Sequence, residues 1–288
     1  MAEKIQTITE IRNALRSRFA AKWAKDEAEA MATLIISEYT GISAARQLAY
    51  GSDNPEQQTV ALIMGAAERA LASEPLQYIF GYTTFCAHRF SVMPGVLIPR
   101  PETEEMTAMI ISENRGFRGT AMDLGAGSGC IAVTIALAFN GATVYAADNS
   151  KKALRTITEN ADANNARISV LDIDILRSPL TGFPACDLIV SNPPYVRESE
   201  KEFMRENVIK YEPHEALFVP DSDPLLFYRR ICEIASATLS PGGLVYLEIN
   251  ESLASETSRV FSEKKFTGIT VSEDINGKKR FIKARKYD

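Results

Sequence analysis

Histidine and tryptophan are nearly missing from this chain, with two and one among 288 residues. So few imidazoles argue against a histidine-built metal centre or a Ser-His-Asp triad, and no metal is expected. Cysteine is also scarce. Cys86, Cys130, Cys186 and Cys232 are scattered without C-x-x-C spacing. They read as reduced core thiols rather than ligands or disulfides. No apolar run approaches the roughly 18 residues that a membrane helix needs, and the N-terminus shows no signal-peptide core. No membrane partner is expected, and the cytoplasm is the expected compartment. Basic charge is not in excess, since 32 Lys and Arg face 37 Asp and Glu for a net −5. Nucleic-acid binders usually carry a basic face, so direct nucleic-acid binding is not expected. Internal repeats and low-complexity segments are absent too.

What the chain does have is Asn192-Pro193-Pro194-Tyr195, at the end of the apolar run Asp187–Ser191. That run reads as a buried strand. Two successive prolines cannot continue a sheet ladder, so the chain must turn out there. Asn192 then stands at the carboxyl end of a strand, where open α/β sheets bind ligands. The Asn192 side-chain carbonyl and the Pro193 main-chain carbonyl offer two acceptors close together. A planar NH2 group presents two matching donors. Tyr195 adds an aromatic face for a flat group.

Upstream, Ala121–Leu124 runs into Gly125-Ala126-Gly127-Ser128-Gly129 and then into the apolar run Ile131–Phe139. This is a strand, a glycine turn and a helix. Glycines permit a tight turn and close approach of backbone to ligand. On its own the loop could equally serve a dinucleotide, although its spacing is not G-x-G-x-x-G. The next strand ends in Asp148, about where an acid grips ribose hydroxyls. No Lys-Ser/Thr phosphate signature follows the loop, and no arginine directly follows Asp148. A nucleoside cofactor without phosphates, such as S-adenosylmethionine, fits best.

Three segments differ in character. Residues 1–73 show apolar residues at helical spacing, with Met31, Leu34, Ile35 and Tyr39 in one stripe and Val60, Ile63, Met64, Ala67 and Leu71 in another. A small helical bundle is expected, with Trp23 in its core. Residues 74–98 read as a linker, with Gln77–Phe85 and Arg89–Val92 as a hairpin. Thr103 is placed to cap the helix after it. Within 99–288, strands are expected near 120–124, 143–147, 168–171, 186–191, 243–249, 268–273 and 280–285. Helices are expected at 130–139, 151–163, 224–239 and 251–262. Such alternation predicts a doubly wound, mostly parallel, Rossmann-like sheet of seven strands. The turn at Asp274–Lys278 makes the last strand antiparallel.

Six stretches together carry a family resemblance. They are Glu74–Gly81, Leu97-Ile-Pro-Arg-Pro-Glu-Thr-Glu104, Asp123–Gly129, Ser191–Tyr195, Tyr211-Glu-Pro213 with Ala216–Phe218, and Leu247–Ile249. Nearly end to end, the chain resembles the bacterial release-factor glutamine N5-methyltransferases. The resemblance implies an N-terminal helical domain and a seven-stranded S-adenosylmethionine-dependent methyltransferase domain. It implies that peptide chain release factors are the protein substrate, modified at the glutamine of a Gly-Gly-Gln motif. It implies cofactor contacts from Gly125 through Gly129, Asp148, Asp174, Ile175 and Asn192. Asn192 and Pro193 would carry the chemistry, and Asn192 through Tyr195 would hold the glutamine. Arg100, Glu102 and Thr103 match the family block. A monomer is expected. Asp221–Pro224 and Asn250-Glu251 depart from the family pattern and put local loop shape in question. The four-residue motif suits any NH2 on an sp2 carbon. It leaves open an amino group on a DNA or ribosomal RNA base, or a ribosomal-protein glutamine.

Overall fold

A computed structural model of the chain describes residues 7–49 and 51–287. The first six residues of the expected bundle lie outside the described part. The chain divides into two compact units between Phe80 and Gly81.

The first unit is helical: α1 (Ile8–Phe19), α2 (Lys25–Thr40), α3 (Ala44–Ala49), α4 (Gln57–Leu71) and α5 (Leu76–Phe80). Thr7 opens α1 with a reciprocal cap, its hydroxyl accepting from Glu10 N while Thr7 N donates to the Glu10 carboxylate. Gly41, at φ 70°, closes α2 in the left-handed conformation. Ile11, Leu15 and Phe19 of α1 bury against Ala32, Ile35 and Ile36 of α2 and Ile63, Ala67 and Ala70 of α4. Of the expected α2 stripe, Met31, Ile35 and Tyr39 do pack on the core, joined there by Ala28, Ala32 and Ile36, whereas Leu34 is exposed. The inward alanines add a strip of small residues beside the large apolar ones, where neighbouring helices can pack. Trp23 is half-buried, edge-on to Phe19.

The expected strand over Gln77–Phe85 begins as a helix. Pro75 suits a helix start and its carbonyl accepts from Tyr78 N and Ile79 N. Gly81, at φ 80°, then ends the turn. The hairpin that follows is shorter than expected: β1 (Tyr82–Phe85) with β2 (His88–Ser91).

The second unit continues with α6 (Pro101–Glu113), β3 (Thr120–Leu124), α7 (Cys130–Ala138), β4 (Thr143–Asp148), α8 (Lys151–Ala163), β5 (Ser169–Asp172) and β6 (Cys186–Ser191). After β7 (Val196–Arg197), α9 (Glu206–Tyr211) and β8 (Phe218–Val219), the chain closes with α10 (Leu226–Thr238), β9 (Leu239–Glu248), α11 (Ala254–Glu263), β10 (Thr267–Glu273) and β11 (Lys279–Arg285). Seven strands form one sheet in the order β10-β11-β9-β6-β3-β4-β5. All neighbours from β9 to β5 are parallel, and β11 runs antiparallel between β9 and β10. The expected doubly wound sheet and its antiparallel last strand are both present.

Strand alternation dictates the two faces. Ala121, Val144, Ala146, Leu188 and Val190 pack under α6, α7 and α8. Met122, Leu124, Ile189, Val245 and Leu247 pack under α10 and α11. The order reverses between β3 and β6, a topological switch point at the carboxyl ends of both strands. Burial pushes the thiols of Cys86, Cys130, Cys186 and Cys232 up to about 11, 12, 11 and 12. Among the described residues, no helix is long and apolar enough to cross a membrane.

Candidate functional site

The switch point opens into a cavity of about 370 Å³, within the roughly 300–1,000 Å³ usual for small-molecule sites. Three strand ends supply its floor.

After β3 comes the glycine turn. Gly125, Gly127 and Gly129 have φ of 72°, 57° and 78°, a region that side chains rarely enter. Gly125 N and Ala126 N both donate to Ala147 O, pinning the loop to the neighbouring strand. Gly129 also packs closely, since a Cβ there would lie 3.2 Å from Ile157 Cγ2. Asp123, just before the turn, is fully buried. Its Oδ2 accepts from Ala132 N at 3.2 Å, and Oδ1 has no partner among the described residues. Burial pushes its carboxyl up to about 7.

Asp148 ends β4 and lines the cavity. Its Oδ2 accepts from Gly127 N and its Oδ1 from Ser150 N, both at 2.9 Å. The acid therefore braces the glycine turn, and each oxygen keeps a second lone pair for a ligand. Burial raises its pKa, and these main-chain donors work against the rise. Ser150 then caps α8 by accepting from Ala153 N.

Asp174 and Ile175 also line the cavity. The Asp174 carboxylate is already used locally. Oδ1 accepts from Leu176 N and Arg177 N, so the acid shapes its own turn.

Asn192, at the end of β6, faces the same cavity and is half-buried. Ser191 ties that strand end to β3 by donating to Leu124 O at 2.6 Å. Asn192 Nδ2 donates to Thr103 Oγ1 at 2.9 Å. Thr103 Oγ1 donates to Glu248 Oε2 at 2.6 Å, and Tyr195 OH donates to Glu248 Oε1 at 2.8 Å. Pro194 lines the cavity, whereas Pro193 and Tyr195 are not among its lining residues. Tyr195 points its hydroxyl inward, and burial first, then the Glu248 carboxylate, hold its pKa well above normal.

Thr103 does not cap its helix. Arg100 holds the cap position and Pro101 opens α6, where a missing N–H costs nothing. Thr103 sits one turn in, buried, where its hydroxyl can meet Asn192. Arg100 instead pairs with the buried Glu212 at 2.7 Å, and Glu212 also accepts from Ile98 N. Asn250 donates to the Tyr195 main-chain carbonyl and to Glu200, which fastens the loop after the prolines. Glu248 and Glu212 fall within two of the six family stretches, but the sequence reading gives neither a role in the site. The available signal for Glu248 is an acid inside the apolar run Leu244–Ile249, since an ionisable group buried in a strand needs partners.

The sheet order, the glycine turn and the acid at the next strand end define a methyltransferase domain. A family profile described as Methyltransferase small domain matches residues 102–215, and one described as PrmC N-terminal domain matches residues 10–81. A release factor glutamine methyltransferase of Bacteroides thetaiotaomicron is 38% identical over 270 residues, covering 91% of this chain and 94% of that protein. One from Flavobacterium psychrophilum is 45% identical over 214 residues, covering 73% and 75%. Among solved structures, a methyltransferase from Pyrococcus furiosus superposes with a TM-score of 0.53 at 17% identity, covering 81% of this chain and 100% of its own, a likeness of fold. The chain belongs to the release factor glutamine methyltransferase family.

Proposed function

We propose that this chain transfers a methyl group from S-adenosylmethionine to the side-chain amide nitrogen of the Gly-Gly-Gln glutamine in peptide chain release factors. The observation that carries the reading is Asn192. It opens onto the same cavity as Gly125–Gly129 and Asp148, with its NH2 already engaged by Thr103.

The residues fit the cofactor. The glycine turn presents backbone without Cβ atoms, and the Asp148 carboxylate has lone pairs left for a ribose diol. Ile175 offers an apolar surface for the base, and Asp174 an acid beside it. When bound, the cofactor supplies an electrophilic methyl group on a sulfonium sulfur.

An amide nitrogen is a poor nucleophile because its lone pair is delocalised into the carbonyl. Asn192 Oδ1 and the Pro193 carbonyl accept the two N–H hydrogens and turn the NH2 toward the methyl carbon. Both acceptors favour positive charge growing on nitrogen, which is fixed electrostatic support combined with positioning. With the cofactor held by Gly125–Gly129 and Asp148, its methyl group would pass to this nitrogen, the sulfonium would leave as a neutral thioether, and the amide proton would go to solvent. No strong base is needed beforehand, since the amide becomes acidic only as it is methylated. Pro194 lines the cavity beside Asn192 where the glutamine would enter, and Tyr195 braces the turn from behind through Glu248.

The helical unit, with the segment after it to about residue 98, docks the release factor, and remote binding of this kind positions a group that binds weakly alone. The enzyme works as a monomer in the cytoplasm, on protein rather than on nucleic acid. Methyl transfer to purified release factor, with DNA and ribosomes as competing acceptors, tests the reading. Preferred transfer to a nucleic-acid base would replace it.

A further inference from the structure

We infer that Glu248 is a positioning residue that sets which end of the Asn192 amide faces the cavity, acting through Thr103. The inference rests on the function proposed above and adds the device that orients its acceptor.

Glu248 is 1% exposed at the end of β9, and Thr103 is 3% exposed on α6. A carboxylate only accepts hydrogen bonds. Tyr195 OH donates to Oε1 and Thr103 Oγ1 donates to Oε2, so both oxygens are occupied by donors. A threonine hydroxyl has one hydrogen. Having given it to Glu248, Thr103 can offer Asn192 only a lone pair. Asn192 must therefore turn Nδ2 toward Thr103, as observed at 2.9 Å. Oδ1, the atom needed to accept from a substrate NH2, is left toward the cavity. Reverse the hydroxyl and the amide can flip, presenting an NH2 to an NH2. The direction of the relay is fixed at its far end by a charge that never touches substrate.

The surroundings suit such a fixed charge. Arg280 of β11 attracts the carboxylate, Glu102 of α6 repels it, and Tyr195 and Tyr228 of α10 lie close by. Burial raises the Glu248 pKa, while Thr103, Tyr195 and Arg280 favour its charged form. The acid also lies beside Asn250, whose side chain holds the Tyr195 carbonyl, so one cluster sets both ends of the Asn192–Tyr195 turn.

The test uses the full-length chain and Glu248→Gln, Thr103→Val, and the two combined. A glutamine can donate to Thr103 as well as accept, and a valine cannot relay at all. Each single change is expected to lower kcat on release factor by about 10- to 100-fold, the cost of a misplaced reacting group. The double variant is expected to lose no more than the worse single one, because both changes break one relay. Thr103→Ser, which keeps the hydroxyl, is expected to restore most of the kcat lost in Thr103→Val. Cofactor affinity by calorimetry is expected to stay within about threefold, which separates orientation from damage to the fold. Unchanged kcat in folded Glu248→Gln overturns the inference, as do losses that multiply in the double variant or track lost cofactor binding. A second readout needs no substrate. The Asn192 side-chain NH2 resonances, assigned by their loss in Asn192→Ala, are expected to shift in both single variants. Unmoved resonances also overturn the inference. An unaltered chain that fails to methylate release factor, yet shows these shifts, would count against the proposed function and not against the relay.

Discussion

Asp148 does two jobs with one carboxylate, bracing Gly127 and Ser150 and facing the cavity. Asp148→Ala is expected to weaken S-adenosylmethionine binding by about 2–3 kcal/mol, through lost charge-assisted hydrogen bonds. Calorimetry showing unchanged affinity in a folded variant would remove it from the cofactor site. Asn192→Ala is expected to abolish most turnover with a smaller effect on cofactor affinity; single-turnover rates beside binding isotherms separate the two. Asp123 gives a pH prediction. Its folded pKa is raised from 3.8 to about 7, so its contribution to stability is complete below the unfolded value and is lost as pH rises toward 7. Asp123→Asn removes that dependence and is expected to gain stability at pH 8 relative to pH 4, by up to the order of 4 kcal/mol. Melting curves at both pH values check it, and equal effects would contradict it. The placement of Asn192 and Asp148 at strand ends on the cavity was legible in the sequence, because Asn192 closes an apolar run at two prolines and Asp148 closes the apolar run that follows the glycine turn. Glu248 was not, because a strand's sequence does not say which helix will cover its end. Thr103 was misread for a related reason. Its neighbours Pro101 and Glu104 look like a helix start, and only the tertiary fold supplies Glu248.

The glycine turn between β3 and α7 depends on backbone that other residues cannot adopt cheaply. Gly129→Ala is expected to cost about 1–2 kcal/mol from the left-handed conformation alone, with further strain from Ile157 Cγ2 at 3.2 Å. Urea unfolding measures it, and a neutral result would mean that the turn relaxes. The alternating strands and helices were readable because buried parallel strands are short apolar runs between helical periods. The antiparallel last strand was readable from Asp274–Lys278, where Gly277 does take φ 75°. Other elements escaped. Leu76–Phe80 has aromatic and β-branched residues that suggest a strand, but Pro75 and Gly81 bracket one helical turn. The short β7–β8 pair gave no periodic signal, since two-residue strands are too brief to show one.

Two compact units with separate hydrophobic clusters make the chain divisible in experiment. A shortened chain beginning at Gly81 keeps the cavity and is expected to bind cofactor normally. It is also expected to lose most activity on intact release factor, and a short Gly-Gly-Gln peptide should be a poor substrate for both forms. Equal activity of the two forms on intact release factor would remove the helical unit from docking. The net charge of −5 left a protein substrate open without naming it; only the family motifs pointed to release factors. The most direct measurement is mass spectrometry of release factor after incubation with the full chain and S-adenosylmethionine. The expected result is one added methyl group on the Gly-Gly-Gln glutamine, absent when Asn192→Ala replaces the unaltered enzyme. Methylation at another residue, or undiminished methylation by Asn192→Ala, would contradict the account.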